Sequence, residues 1–366
     1  MPALMQLPSL DALRVALEEL CPGSRLVACE PLGSDGAASV GRKEAGYGEP
    51  LKVSLVEPDG KQRSLVFRTA SRNEFGHDRR ADRAGEIILA FDTFNAVPGH
   101  IRALDMGVIT PAGLRSIRDA GELYLVTTFV EGRLYADDLR RIAREGIATR
   151  EDLDRCGALA RWLVQLHQVC GPADAVAWRR VVRDLLGHGE GIFGIVDAYP
   201  PDVPGAPRAR LERIEHRCLD WRWRLRERSE RLHRTHGDFH PFNIVFSGGT
   251  QFTALDASRG GRGDPADDLT ALAINYVFFA LQAPGTWERG FGPLWRQLWS
   301  SYLAGSGDSE VLRTAAPFLA WRALVLGCPR FYPELGAGAR GALLDLAEGA
   351  LDAVSFAPGA AEELFR

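Results

Sequence analysis

Residues 235–246 read THGDFHPFNIVF: a histidine, an aspartate, a second histidine and an asparagine crowd ahead of a short apolar run. The cluster has two chemical readings. His236, Asp238 and His240 stand at alternate positions and offer donors that a zinc ion takes. Alternatively, Asp238 and Asn243, five residues apart, form a carboxylate and carboxamide pair that can work on a nucleotide.

The residues that follow bear on the choice. NIVF, the turn residues Gly248 and Gly249, and FTALD predict a hairpin that ends on Asp256. Phosphoryl transfer asks for a carboxylate to align and deprotonate a hydroxyl, side-chain oxygens to hold magnesium, and a cation beside the phosphates. In H-G-D-x-x-x-x-N, Asp238 would be the base, Asn243 would turn back toward the metal, and the hairpin would deliver Asp256 to its other side. A binuclear metal centre would need further histidine and aspartate clusters. The chain has eight histidines, and those outside the stretch form no such cluster.

Further out, the period of the sequence changes twice. LVACEPL, LKVSLVEP and QRSLVFRTA read as strands, with the hairpin signal Asp59-Gly60 between the last two. Ala84, Ile87, Ile88, Phe91 and Phe94 then recur at helical spacing around Glu86. IRALDMGVI and ELYLVTTFV read as two more strands, the second running to Glu131-Gly132. From Tyr135 the texture is helical apart from the hairpin. The pattern predicts an α+β fold with a small β-rich lobe over 1–128 and a larger, mainly helical lobe over 129–366.

Composition excludes several classes. With 366 residues, 46% hydrophobic and a net charge of −4, the chain can bury a core and lacks the basic footprint of a nucleic-acid binder. Its longest apolar run, LTALAINYVFFAL, is too short to span a bilayer and contains Asn275, so a buried helix is expected and no membrane partner. Six cysteines without C-x-x-C spacing read as reduced thiols of a cytoplasmic protein. GEGIFG (189–194) fits G-x-G-x-x-G but starts no βαβ unit, so it reads as a loop, with a substrate-side role left open. His167 on an apolar helix face reads as a hydrogen-bonded core residue, and Trp295 with Trp299 as a core stripe.

HGDFHPFNIVF followed by LDASRGGRGDPADDLTAL resembles the aminoglycoside phosphotransferase and choline kinase-like family, small-molecule relatives of the protein kinases. LVFR, the Glu86 helix, LVTTFVEG and LVQLH fall in the family's order. The resemblance implies a two-lobe protein kinase-like fold and transfer of the γ-phosphoryl group of ATP, with Mg2+, to a hydroxyl of an amino sugar, amino alcohol, sugar or similar molecule. It makes Asp238 the base, Asn243 and Asp256 the magnesium ligands, and His236 the residue that orients the loop. Asp264 and Asp268 would brace the segment after the metal aspartate. Thr128 to Val130 would lie along adenine, and Gly33 to Gly41 would cover the phosphates. Arg68 of LVFR stands where kinases generally carry lysine, with Glu86 as its expected partner. Asp256 is followed by Ala257-Ser258 rather than Phe-Gly, which disfavours a protein kinase. A nucleotide-binding regulatory protein without transfer activity is the competing expectation. The acidic excess past residue 260 favours a hydroxylated or cationic acceptor.

Overall fold

The structure, a computed structural model, describes residues 9–32, 50–257, 259 and 261–366. The glycine-rich stretch Gly33 to Gly41 lies outside them. The chain divides into two compact units, Met1–Thr127 and Thr128–Arg366.

In the first unit, helix α1 (Leu10–Leu20) begins where the Ser9 side chain accepts from the Ala12 N–H, satisfying one of the free donors of the first turn. Strands β1 (Arg25–Pro31), β2 (Leu51–Val56) and β3 (Gln62–Phe67) form an antiparallel sheet in that order. The β2–β3 turn carries Gly60 at φ +83°, a conformation that glycine adopts without steric cost, as Asp59-Gly60 foretells. Alternation along β2 buries Leu51, Val53 and Leu55, and Val53 and Leu55 pack with Cys21 against Leu17, Leu65 and Phe67. Helix α2 (Arg80–Phe94) carries Glu86 and is followed by the hairpin of β4 (Gly107–Thr110) and β5 (Gly113–Ser116).

The expected strand ELYLVTTFV does not form: 122–130 has no regular structure, and Tyr124 and Leu125 are 90% and 87% exposed. A strand needs a neighbour for its N–H and C=O groups, and among the described residues none pairs with this run. IRALDMGVI is likewise a strand only in its last residues.

The second unit opens with β6 (Arg133–Leu134), α3 (Tyr135–Glu145), α4 (Arg150–His167), α5 (Ala175–Gly187), α6 (Ile192–Asp197) and α7 (Arg208–Leu225). Strands β7 (His233–Arg234), β8 (Ile244–Gly248), β9 (Gln251–Ala254) and β10 (Arg262–Gly263) interrupt the helices. Then follow α8 (Pro265–Gln282), α9 (Gly292–Ser306), α10 (Val311–Gly327) and α11 (Ala337–Asp352). β8 lies between β6 and β9, with Arg133 opposite Phe246. Gly132, at φ +150°, enters this pairing where a Cβ would stand 2.4 Å from the Phe246 carbonyl oxygen, so no larger residue fits. Helix α8 is buried on nearly all sides, and Trp295 and Trp299 are core, as their spacing predicts. The α+β expectation therefore holds, with a small sheet in the first unit and packed helices in the second.

Thiol chemistry follows from this packing. Burial pushes the Cys156 and Cys218 thiols up to about 12, whereas Cys170 is exposed. At pH 8 the two buried thiols are ionised on the order of one part in ten thousand. A chromogenic disulfide reagent should therefore label Cys170 in the native protein and reach Cys156 and Cys218 only after denaturant is added. Rapid native labelling of either buried residue would contradict the packing.

Candidate active site

Asp238 is held in place by an aspartate further along the chain. Asp264 caps α8 through the Ala266 N–H, Pro265 takes the first helical position, and Asp268 lies one turn in, fully buried. The Asp268 carboxylate accepts the backbone N–H of His236 at 2.8 Å and of Gly237 at 2.7 Å. Its other contact is His167 Nε2 at 3.1 Å, and Tyr302 Oη lies 2.8 Å from His167 Nδ1, so the core reading of His167 is met. Gly237 sits at φ +83°, with the Arg259 Cβ 2.7 Å from where its own Cβ would be. The backbone turn before Asp238 is thus fixed by buried, charge-assisted bonds. Asp264 in turn takes a two-point contact from the buried Arg231 guanidinium.

His236 is buried against Trp162 and Phe239, and its Nδ1 accepts the Asp238 N–H at 3.3 Å. The Asp238 side chain points away from that core. Its Oδ1 accepts from Arg322 Nη1 at 2.7 Å, and its Oδ2 lies 3.4 Å from His240 Nε2. Burial alone would raise this carboxyl, but the His240 bond and the Arg322 charge outweigh it and hold it well below the usual carboxylate range. A pKa below the unfolded value of about 3.9 adds stability above that pH, and the gain is lost only as pH falls through the lower folded value. Asp238 is therefore ionised throughout the neutral range. Beside it, burial pushes Asp267 up to about 6, opposed by Arg322 and reinforced by Asp268.

Asn243 closes the loop. Its Nδ2 donates to the Asp238 carbonyl at 3.0 Å and reaches Asp238 Oδ2 at 3.4 Å, which leaves its Oδ1 free for another partner. Pairing of β8 with β9 continues into a bond from the Leu255 N–H to the Asn243 carbonyl at 2.8 Å. Asp256 comes next, exposed and at φ +56°, a left-handed conformation that costs a residue with a Cβ on the order of 1–3 kcal/mol. Two hard oxygen donors, Asn243 Oδ1 and the Asp256 carboxylate, thus flank one short hairpin, the first just before β8 and the second just after β9. Among the described residues no group of three His, Cys, Asp or Glu side chains could hold a metal.

In the first unit, Arg68 Nη2 lies 3.8 Å from Glu86 Oε1, a loose and half-exposed pair, and His77 Nε2 approaches Glu86 Oε2 at 3.4 Å. Thr128 is exposed and Val130 half-buried, both on irregular backbone.

A profile of the family described as "Phosphotransferase enzyme family" matches residues 54–302, most of the chain and all of this loop. The chain belongs to the phosphotransferase enzyme family. Comparison with curated proteins gives no match. Among solved structures, it is similar to a glucosamine kinase in complex with glucosamine, ADP and inorganic phosphate, at 16% identity and TM-score 0.37. That match covers 59% of this chain and 58% of the other, under two thirds of that protein's length. It is also similar to "Glucosamine kinase (crystal form B)", at 16% identity and TM-score 0.44 over 94% of this chain and 87% of the other. A third likeness is to the amicoumacin kinase hAmiN in complex with AMP-PNP, Ca2+ and Ami, at 14% identity and TM-score 0.39 over 96% and 97%. Likenesses this faint carry nothing about an acceptor.

Three residues close to Asp238, namely Arg322, Arg259 and Trp321, were not among the sequence-derived candidates. Arg322, on α10, bonds Asp238, the Gly237 carbonyl and Asp267 Oδ1 at 2.7, 3.0 and 2.7 Å. An arginine inside FLAWRALVLG, a helix buried on most sides, has to find carboxylates, and that was the available signal. Arg259 Nη2 stands 3.9 Å from Asp238, and Trp321 lies under both guanidinium groups, 4.4 Å from Arg259 and 4.0 Å from Arg322. His240, read in the sequence only as a zinc donor, touches the carboxylate directly. The Trp321 indole donates to the Glu190 carbonyl at 2.8 Å, which ties GEGIFG to the same place; only 189–191 of that stretch is a loop, since Ile192 to Gly194 begin α6.

Proposed function

We propose that this phosphotransferase moves the γ-phosphoryl group of ATP to a hydroxyl of a small molecule, with Asp238 as the base. The observation that carries the reading is an ionised aspartate whose backbone is clamped by Asp268 and whose carboxylate is met by Asn243 Nδ2. Asp238 accepts a hydrogen bond from the acceptor hydroxyl and takes its proton as the oxygen bonds to phosphorus. The bond from that phosphorus to the bridging oxygen breaks, and the nucleoside diphosphate leaves. Little covalent chemistry falls to the protein, so positioning and charge neutralisation supply most of the rate.

Asn243 Oδ1 and the Asp256 carboxylate fit magnesium, which takes one or two protein oxygens and fills its remaining positions from phosphates and water. The metal, when bound, would neutralise charge on the transferred group. In this reading residues 1–128 form the nucleotide lobe, with Arg68 supported by Glu86 and the backbone at Thr128 and Val130 beside adenine. Residues 129–366 form the catalytic lobe, with His236 supporting the loop from below.

The backbone of Asp256 gives one test. Asp256→Gly relieves the left-handed strain, on the order of 1–3 kcal/mol, and adds back about 1 kcal/mol of chain entropy. Stability measured by urea unfolding should stay level or rise, while turnover falls on the order of a hundredfold or more. Lost stability with retained turnover would remove Asp256 from the metal site. Function itself is tested by nucleotide consumption across a panel of hydroxylated metabolites and antibiotics, with Asp238→Asn as blank. The reading requires acceptor-dependent consumption absent from the blank; Mg-ATP stabilisation without transfer to any acceptor would favour the regulatory protein instead.

A further inference from the structure

Beside Asp238 lies a cavity of about 220 Å³, open to solvent and wholly within the second unit. That is room for a small metabolite, below the roughly 300–1,000 Å³ of pockets that take drug-sized molecules. Its walls come from α6, α8, α10 and the segment after α10, and much of the lining is apolar: Ile195, Ile274, Val325, Leu326, Phe331 and Tyr332. The polar sector is concentrated at Asp238, with Glu190, Arg259 and Arg322.

The two arginines differ in how well they are matched. Arg322 has a carboxylate oxygen at 2.7 Å from each of Asp238 and Asp267. For Arg259 the nearest carboxylates are Glu190 at 3.5 Å and Asp238 at 3.9 Å, and the Glu190 side chain is 71% exposed. The Nε of Arg259 and that of Arg322 are both buried without a hydrogen-bond partner among the described residues, so the difference lies at the Nη atoms, where Arg322 is matched at 2.7 Å and Arg259 only at 3.5 Å or more. Burial and the neighbouring Arg322 both disfavour the Arg259 cation. A buried guanidinium N–H without an acceptor costs free energy that an incoming anion would restore. A polycation finds the reverse: each carboxylate of the lining, Asp238 and Glu190, already faces an arginine.

We propose that the cavity takes an acceptor with an apolar body and an oxyanion, the oxyanion held by Arg259. This rests on the phosphotransferase reading for the hydroxyl at Asp238 and adds to it the class of acceptor. The acidic excess of the C-terminal sequence pointed to hydroxylated or cationic acceptors; the charge inside the cavity favours a hydroxy acid. An oxyanion near Arg259 could also be the phosphoryl group in transit, and the experiment separates the two sources.

The probes are 4-(hydroxymethyl)benzoate, ω-hydroxyalkanoates from six to ten carbons, the methyl esters of both, and kanamycin as polycation. Binding is measured by calorimetry and turnover with Mg-ATP, for wild type, Arg259→Ala and Arg259→Lys, with thermal melts to confirm folding. The wild type should bind at least one hydroxy acid roughly tenfold to a hundredfold tighter than its ester, the range of a charge-assisted hydrogen bond. Arg259→Ala should erase that preference, so that acid and ester bind alike, and Arg259→Lys should keep part of it. No binding by any hydroxy acid, or tighter binding of kanamycin than of the acids, overturns the assignment. So does an equal fall in kcat for acids and esters with KM unchanged, which would put Arg259 on the transferred phosphoryl group. Hydroxy acids that bind through Arg259 but are never phosphorylated leave the anion site standing and sink the transferase reading instead.

Discussion

Asp238→Asn should lower turnover by on the order of a hundredfold to ten-thousandfold, the range that general-base catalysis contributes. The substitution keeps the shape of the side chain and removes its charge, so the loss falls on proton acceptance rather than on packing. Stability changes less, because Arg322 retains Asp267 at 2.7 Å as a second carboxylate and is not left as an isolated buried charge. KM for the nucleotide should move little, since Asp238 is not assigned to hold it. Steady-state kinetics beside urea unfolding checks both halves. A variant that keeps its rate, or one that loses activity only because it unfolds, would contradict the assignment.

Asp268→Ala should give the largest loss of stability among single changes at the site, about 3–5 kcal/mol. It strips acceptors from the His236 N–H, the Gly237 N–H and the His167 ring, all buried. Each buried donor left unmade costs about 1–3 kcal/mol. Asp268→Asn keeps one oxygen and should fall between the alanine variant and the wild type. The same loss frees the turn that aims Asp238, so turnover measured well below the melting temperature should drop as well. An alanine variant as stable as the wild type would show that the clamp is not what fixes the loop.

These two residues also mark how far the sequence could be read. Asp238 and Asn243 are visible because their spacing is local: five residues of one loop are enough to bring an amide to a carboxylate. The Asp59-Gly60 hairpin and the buried helix around Asn275 are legible for the same reason, each being settled by neighbours along the chain. Asp268 was named through family resemblance, but that it holds two particular N–H groups is a matter of three dimensions. Arg322 lies 84 residues from Asp238, and no local pattern can announce such a pairing. It was nonetheless discoverable, because a charge on a helix buried nearly all round needs partners. The failure at 122–130 has the opposite cause: apolar texture promises a strand but cannot supply the neighbour that would complete it.

The most direct test uses ATP labelled in its γ-phosphoryl group, with wild type and Asp238→Asn incubated against the same acceptor panel. Wild type should place label in an acceptor through a phosphate ester, one for each nucleoside triphosphate consumed, and Asp238→Asn should place on the order of a hundredth of that or less. Label released only as inorganic phosphate, or equal labelling by both proteins, would contradict a hydroxyl-directed transfer centred on Asp238.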